Sequence, residues 1–296
     1  TMADEKKINS AEVHRAMRGD YKHDAGKFWN RLTAKIGKRL DFANFKRGFA
    51  ARHYSAYSPE LTMYRTAMWL FYQRVVDAGG ADYLTPERHA IGDAETLKFK
   101  EHEVSWEQLL SAYEAMLVHR ELGKGFSSCL EIGAGWGRTA EALIQHTPCD
   151  TYVIVDLPET LALSHHYLNQ AFPDLATNYL ETRDGDLPEK GILFLLPNQI
   201  DRIKGRRFDL GLNINGLQEM PPTEVARYVK LYDETCGSVF FSNKTATYDL
   251  DHTIVTDLKD YPIPDHWNQT FDARHEIYDS FVNRIYKNQG ASSSTD

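Results

Sequence analysis

The stretch Cys129-Leu130-Glu131-Ile132-Gly133-Ala134-Gly135-Trp136-Gly137-Arg138, followed by Thr151-Tyr152-Val153-Ile154-Val155-Asp156-Leu157-Pro158, constrains the fold more than any other part of the chain. It reads as an apolar strand, a glycine-rich turn, a helix, and a second apolar strand ending in an acid. That order builds a nucleotide-shaped pocket at the carboxyl ends of parallel strands. Glycine lacks a Cβ and tolerates positive φ, so Gly133, Gly135 and Gly137 let the backbone come close to a ligand. Asp156 stands where a carboxylate can accept hydrogen bonds from ribose hydroxyls.

The glycine spacing narrows the ligand. A dinucleotide turn needs a third small residue for close helix–strand packing, and Arg138 holds that position, which counts against NAD or FAD. A phosphate-cradling P-loop is excluded, because no Gly-Lys-Ser/Thr follows the glycines.

Residues 127–132 and 151–156 begin an alternation that runs through the rest of the chain. Further apolar strands are expected at 192–196, 208–214 and 238–242, with helices at 137–146, 159–171 and 223–233. Short apolar strands separated by helices imply a parallel sheet covered on both faces. The segments 271–277 and 281–287 read instead as an antiparallel hairpin added to that sheet. Residues up to 122 lack strand-like alternation and carry helical periodicity. A helix over 60–76 aligns Leu61, Tyr64, Met68, Phe71 and Val75, with Ser58 as its cap and Met63 and Trp69 assigned to its core. A second amphipathic helix is expected over 105–121, stopped by Gly123 and Gly125. The chain thus divides into a helical part at 1–122, which caps the substrate site or makes a homodimer contact, a ligand-binding α/β part at 123–288, and a disordered tail at 289–296.

Composition excludes some classes. The formal charge of −8 argues against a general nucleic-acid binder. No apolar run approaches the roughly 20 residues that span a bilayer, so no membrane partner is expected. The first residues lead into no apolar core, and Cys129, Cys149 and Cys236 lack metal-type spacing. Buried thiols in a reducing cytoplasm are the natural reading, with no metal site.

Glu131-x-Gly133-x-Gly135-x-Gly137 resembles motif I of class I S-adenosylmethionine-dependent methyltransferases, and Asp156 matches the acid after their second strand. The resemblance implies an α/β, Rossmann-like class I methyltransferase sheet, mostly parallel with an antiparallel final hairpin, carrying an N-terminal helical domain. It also implies S-adenosyl-L-methionine as cofactor. Asp156-Leu157-Pro158-Glu159-Thr160, Gln218-Glu219-Met220 and Val239-Phe240-Phe241-Ser242-Asn243-Lys244 are similar to segments of the bacterial sugar O-methyltransferase family. That similarity covers residues 126–245 and implies O-methylation of a hydroxyl on a sugar or sugar-like small molecule. An N-methyltransferase on a small amine and a non-catalytic binding module are the competing readings.

The donor half of such a site would use Glu131, Gly133, Gly135, Gly137 and Asp156, with Leu157 and Asn198 at the adenine and Asn213 on the strand below. Glu131 reads either as an acceptor for the cofactor's ammonium or as half of a buried salt bridge. For the acceptor half, Glu219 is a base or orienting group, or else a helix-start acid. Asn215 and Gln218 accompany it on the loop after the fourth strand. Tyr54 and Tyr57 suit a sugar through stacking and hydroxyl contacts, or pack the cap. His252, between Asp251 and Thr253, reads as a base or as a solvated loop residue. Of His165 and His166 at least one is expected at the surface, and His266 in a solvated loop.

Overall fold

The structure is a computed structural model describing residues 8–22, 40–47, 59–85, 90–248, 254–276 and 280–290. Its helices are α1 (Ser10–Asp20), α2 (Pro59–Asp77), α3 (Trp106–Leu122), α4 (Arg138–His146), α5 (Pro158–Ala171), α6 (Tyr179–Thr182) and α7 (Pro222–Thr235). Its strands are β1 (Thr96–Phe99), β2 (His102–Ser105), β3 (Ser128–Ile132), β4 (Thr151–Val155), β5 (Gly191–Leu195), β6 (Phe208–Ile214), β7 (Cys236–Lys244), β8 (Ala246–Tyr248), β9 (Ile254–Asp257), β10 (Trp267–Arg274) and β11 (Phe281–Asn288). No helix of the described residues is long and apolar enough to cross a membrane.

Seven strands form one sheet in the order β10-β11-β7-β6-β3-β4-β5. β3, β4, β5, β6 and β7 pair in parallel, while β11 runs antiparallel to both β7 and β10. This is the Rossmann-like sheet expected of a class I methyltransferase, with its last strand reversed and inserted beside β7. Alternate residues of a strand face opposite sides. Leu130 and Ile132 of β3 therefore join the apolar cluster under α7, while Cys129 joins the cluster under α3, α4 and α5. Glu131 shares the face of Cys129, and that register decides its environment.

The helices before residue 122 share the second of those clusters with the sheet. Helix α3 starts at Ser105, whose hydroxyl accepts the Gln108 N–H at 3.1 Å, and ends at Gly123 with φ 79°. It is not the amphipathic helix expected from its pattern. Every residue from Gln108 to His119 is buried, because α3 lies between the sheet and the elements outside it. In α2 the expected stripe holds for Leu61, Met68, Phe71 and Val75, all buried. Met63 and Trp69, assigned to the core from sequence, are instead 71% and 48% exposed. The proposed cap Ser58 lies outside the described residues.

Three further elements depart from the sequence reading. The hairpin β1–β2 occurs inside the part read as wholly helical; its turn uses Lys100 at φ 53°. A second hairpin, β8–β9, follows β7. His165 is fully buried, taking the Tyr179 N–H at Nε2 and stacking edge-on against Phe194, and His166 is half-buried against Phe42, so neither is a free surface residue. His266 is exposed as expected and pairs with Asp233 at 2.7 Å. All three cysteines are free and buried.

Candidate active site

The strand order reverses beside β3, whose neighbours are β4 on one side and β6 on the other. In an open α/β sheet the loops leave such a switch point in opposite directions and open a crevice. A cleft of about 1030 Å³, part of it open to solvent, occupies that place. Its walls come from the loops after β3 (Glu131–Gly135), β4 (Asp156, Leu157), β5 (Pro197) and β6 (Asn215, Gly216, Glu219, Met220). Thr160 of α5 and Glu224 and Tyr228 of α7 complete it.

The glycine turn has the geometry its sequence implies. Gly133, Gly135 and Gly137 all have positive φ, at 78°, 60° and 93°. Gly137 starts α4 in the left-handed region, and a Cβ there would meet Leu168 Cδ1 at 2.9 Å. A Cβ on Gly135 would meet nothing within 4 Å, so at this position the conformation, not the space, requires glycine.

Asp156 ties that turn to the end of β4. One carboxylate oxygen accepts the Gly135 N–H at 2.9 Å; the other accepts the Leu157 N–H at 2.7 Å and the Thr160 hydroxyl at 2.6 Å. Burial pushes its pKa up to about 6, against the opposing effect of those three hydrogen bonds. The carboxylate is only half-buried and lines the cleft, so it keeps acceptor capacity for a ligand.

Glu131 is 1% exposed, and its pKa is pushed up to about 7 by burial, opposed by the Tyr152 hydroxyl at 2.7 Å and by Arg138. The other oxygen has no hydrogen-bond partner among the described residues. The salt-bridge alternative for Glu131 does not hold as a direct pair: Arg138 forks onto Glu114 of α3, at 2.6 and 3.0 Å. Thr139 adds a bond to the same carboxylate at 3.2 Å. Arg138 thus joins the cleft wall to α3, a role its position after the third glycine did not suggest.

The loop after β6 separates into bracing and exposed groups. Asn213, expected at the cofactor, is fully buried beneath the cleft. It donates to the Ile132 carbonyl at 2.8 Å and accepts the Leu217 N–H at 2.9 Å, so its amide clips β3 to the loop. Gln218, expected to face the acceptor, is 1% exposed and turned away: it donates to Asn215 Oδ1 at 2.6 Å and accepts the Lys244 N–H. Asn215 (φ 60°) and Glu219 do line the cleft. Glu219 does not cap α7, whose N-cap is Pro221. Burial raises the Glu219 pKa, with Lys244 opposing.

Leu157 lines the cleft. Asn198 does not: it is exposed, donating to the Asp20 carbonyl and accepting the Lys22 N–H, so it holds the chain after α1. Its neighbour Pro197 takes the place in the wall. Tyr54, Tyr57 and His252 lie outside the described residues. Sequence reasoning missed Thr160, Glu224 and Tyr228. Tyr228 is 3% exposed and lines the cleft. Thr160 and Glu224 carried a signal, since both stand in the first turn of a helix that follows a strand. Tyr228 carried none beyond the helical period.

No protein-family model and no curated protein sequence matches the chain. Among solved structures, similar folds include a protein of Pyrococcus horikoshii OT3, at 12% identity and a TM-score of 0.46 over 62% of this chain and 92% of that one. Another is the magnesium protoporphyrin IX methyltransferase of Synechocystis PCC 6803 with bound SAH, at 10% identity and a TM-score of 0.43 over 62% of this chain and 86% of that one. At such distances the fold assignment rests on the strand order and the reversed β11.

Proposed function

We propose that the chain is an S-adenosylmethionine-dependent methyltransferase acting on a hydroxyl of a small polar acceptor, a sugar or a sugar-like molecule. The charge of the cleft is the observation that carries this reading. Glu131, Asp156, Glu219 and Glu224 line it, Glu224 paired with Arg227, and among the described residues its one lining cation, Arg138, is already paired with Glu114. Like charges in a partly desolvated cleft repel, so the pyrophosphate of a dinucleotide is disfavoured there. A zwitterion bearing a sulfonium cation is favoured.

The polar groups fit that molecule in detail. The unpartnered Glu131 oxygen suits an ammonium, and the backbone of Gly133–Gly135 permits close approach of the amino-acid end. Asp156 suits ribose hydroxyls. Leu157 and Pro197 supply an apolar slot for adenine, and the Tyr228 hydroxyl is a polar partner at its edge.

When bound, the cofactor supplies an electrophilic methyl group. The chain's own contribution to transfer is positioning and proton removal. Glu219 accepts the acceptor's hydroxyl proton at a carboxylate oxygen, and its raised pKa makes it a stronger base than an exposed glutamate. Lys244 opposes that rise. Asn215, held by Gln218, orients the acceptor.

Turnover on a panel of glycosides and small amines tests the reading. Glu219→Gln is expected to lose hydroxyl methylation while binding SAH as the wild type does. Methylation of amines alone, tolerant of Glu219→Gln, would overturn the assignment to oxygen.

A further inference from the structure

The three exposed large apolar side chains among the described residues all stand on α2: Met63 at 71%, Trp69 at 48% and Leu70 at 51%. Met63, Thr66, Ala67 and Leu70 follow the helical spacing and form a stripe opposite the buried Leu61, Met68 and Val75. The Thr66 hydroxyl bonds back to the Thr62 carbonyl at 2.9 Å, leaving its methyl to face outward. A helix apolar on both faces is one covered on both faces.

The stripe is complementary to itself. Turned antiparallel about Thr66 and Ala67, a second α2 sets Met63 against Leu70 and meets at two small residues, which allow close approach. The same turn brings Glu60, in the first helical turn, opposite Arg74 in the last. Opposite charges so placed attract. Arg74 donates from one nitrogen to the Glu276 carbonyl of its own chain. A guanidinium has further donors beyond that bond.

We propose that this face of α2 is the contact by which two copies of the chain form a twofold dimer, the helices antiparallel. A twofold contact requires a patch that matches itself.

Sedimentation of the full chain, with Leu70→Glu and two cysteine variants, tests this. The wild type is expected at twice the monomer mass. Leu70→Glu should weaken association by about thirtyfold or more with unchanged circular dichroism, since the residue is exposed in the monomer. Oxidised glutathione should then cross-link Thr66→Cys, two thiols losing two protons and two electrons to the glutathione disulfide. It should not cross-link Met63→Cys, whose two copies lie about 10 Å apart along the pair at a 1.5 Å rise per residue. The native cysteines are buried and serve as the blank. A monomeric wild type, or a dimer indifferent to Leu70→Glu, overturns the proposal. Equal cross-linking of both cysteine variants overturns the antiparallel pairing.

Discussion

The Asp156 carboxylate accepts the Gly135 N–H at 2.9 Å, so the acid that ends β4 also shapes the glycine turn that follows β3. The glycine turn and the end of β4 are therefore one hydrogen-bonded unit on the cleft wall. Removing the acid deprives a ligand of its acceptor and loosens the turn at once. Asp156→Ala is expected to weaken SAH binding by about tenfold to a hundredfold, the scale of a lost charge-assisted hydrogen bond. Titration calorimetry reads this, and unchanged affinity contradicts it.

Of the three glycines in the turn, Gly137 carries the strictest backbone requirement. Its φ of 93° and the 2.9 Å approach to Leu168 both oppose a side chain. Gly137→Ala should cost about 1–3 kcal/mol of stability, read as a lower Tm. Gly125→Ala, where a Cβ meets nothing within 4 Å, is the control and should be nearly silent.

The Arg138–Glu114 pair predicts a non-additive result. Glu114 is 2% exposed, so Arg138→Met strands a buried carboxylate and should cost about 3–5 kcal/mol. Adding Glu114→Leu removes the stranded charge and should recover much of that loss. Denaturant unfolding of the two variants decides it; an equal or larger loss in the double variant contradicts the pairing.

Glu131 makes stability depend on pH. Its pKa is raised by burial from 4.5 to about 7, so the folded chain holds this proton more tightly than the unfolded chain does. The stabilisation is present in full below pH 4.5 and is lost as pH rises through about 7. Across that window the unliganded wild type should lose stability relative to Glu131→Gln. A cationic ligand favours the carboxylate, so S-adenosylmethionine affinity should rise over the same window in the wild type and stay flatter in Glu131→Gln. Parallel pH profiles of Tm in the two proteins contradict the assignment.

The sheet was legible because its strands are short apolar runs bounded by glycines and charged turns, and β6 falls on the expected residues. The glycine turn was legible for a related reason: positive φ favours glycine, and all three turn glycines adopt it. What escaped was decided by tertiary contacts. Asn213 and Gln218 look like ligands in sequence, but both fill the hydrogen-bonding needs of a buried loop. Tyr228 looks like helix core until α7 is seen to turn it into the cleft. Met63 and Trp69 look like core because a helix apolar all round does not reveal which face a neighbour covers. The β1–β2 hairpin escaped because its strands are four residues each, too short to show an alternating pattern.

The central claim is that the acid-lined cleft binds the methyl donor. Calorimetric titration of the purified chain with S-adenosylmethionine and with SAH tests it most directly. One-to-one binding of both, weakened at least about tenfold on Asp156→Ala and absent for NADH, is the predicted result. A wild type that binds neither, or that binds NADH in their place, would contradict the account.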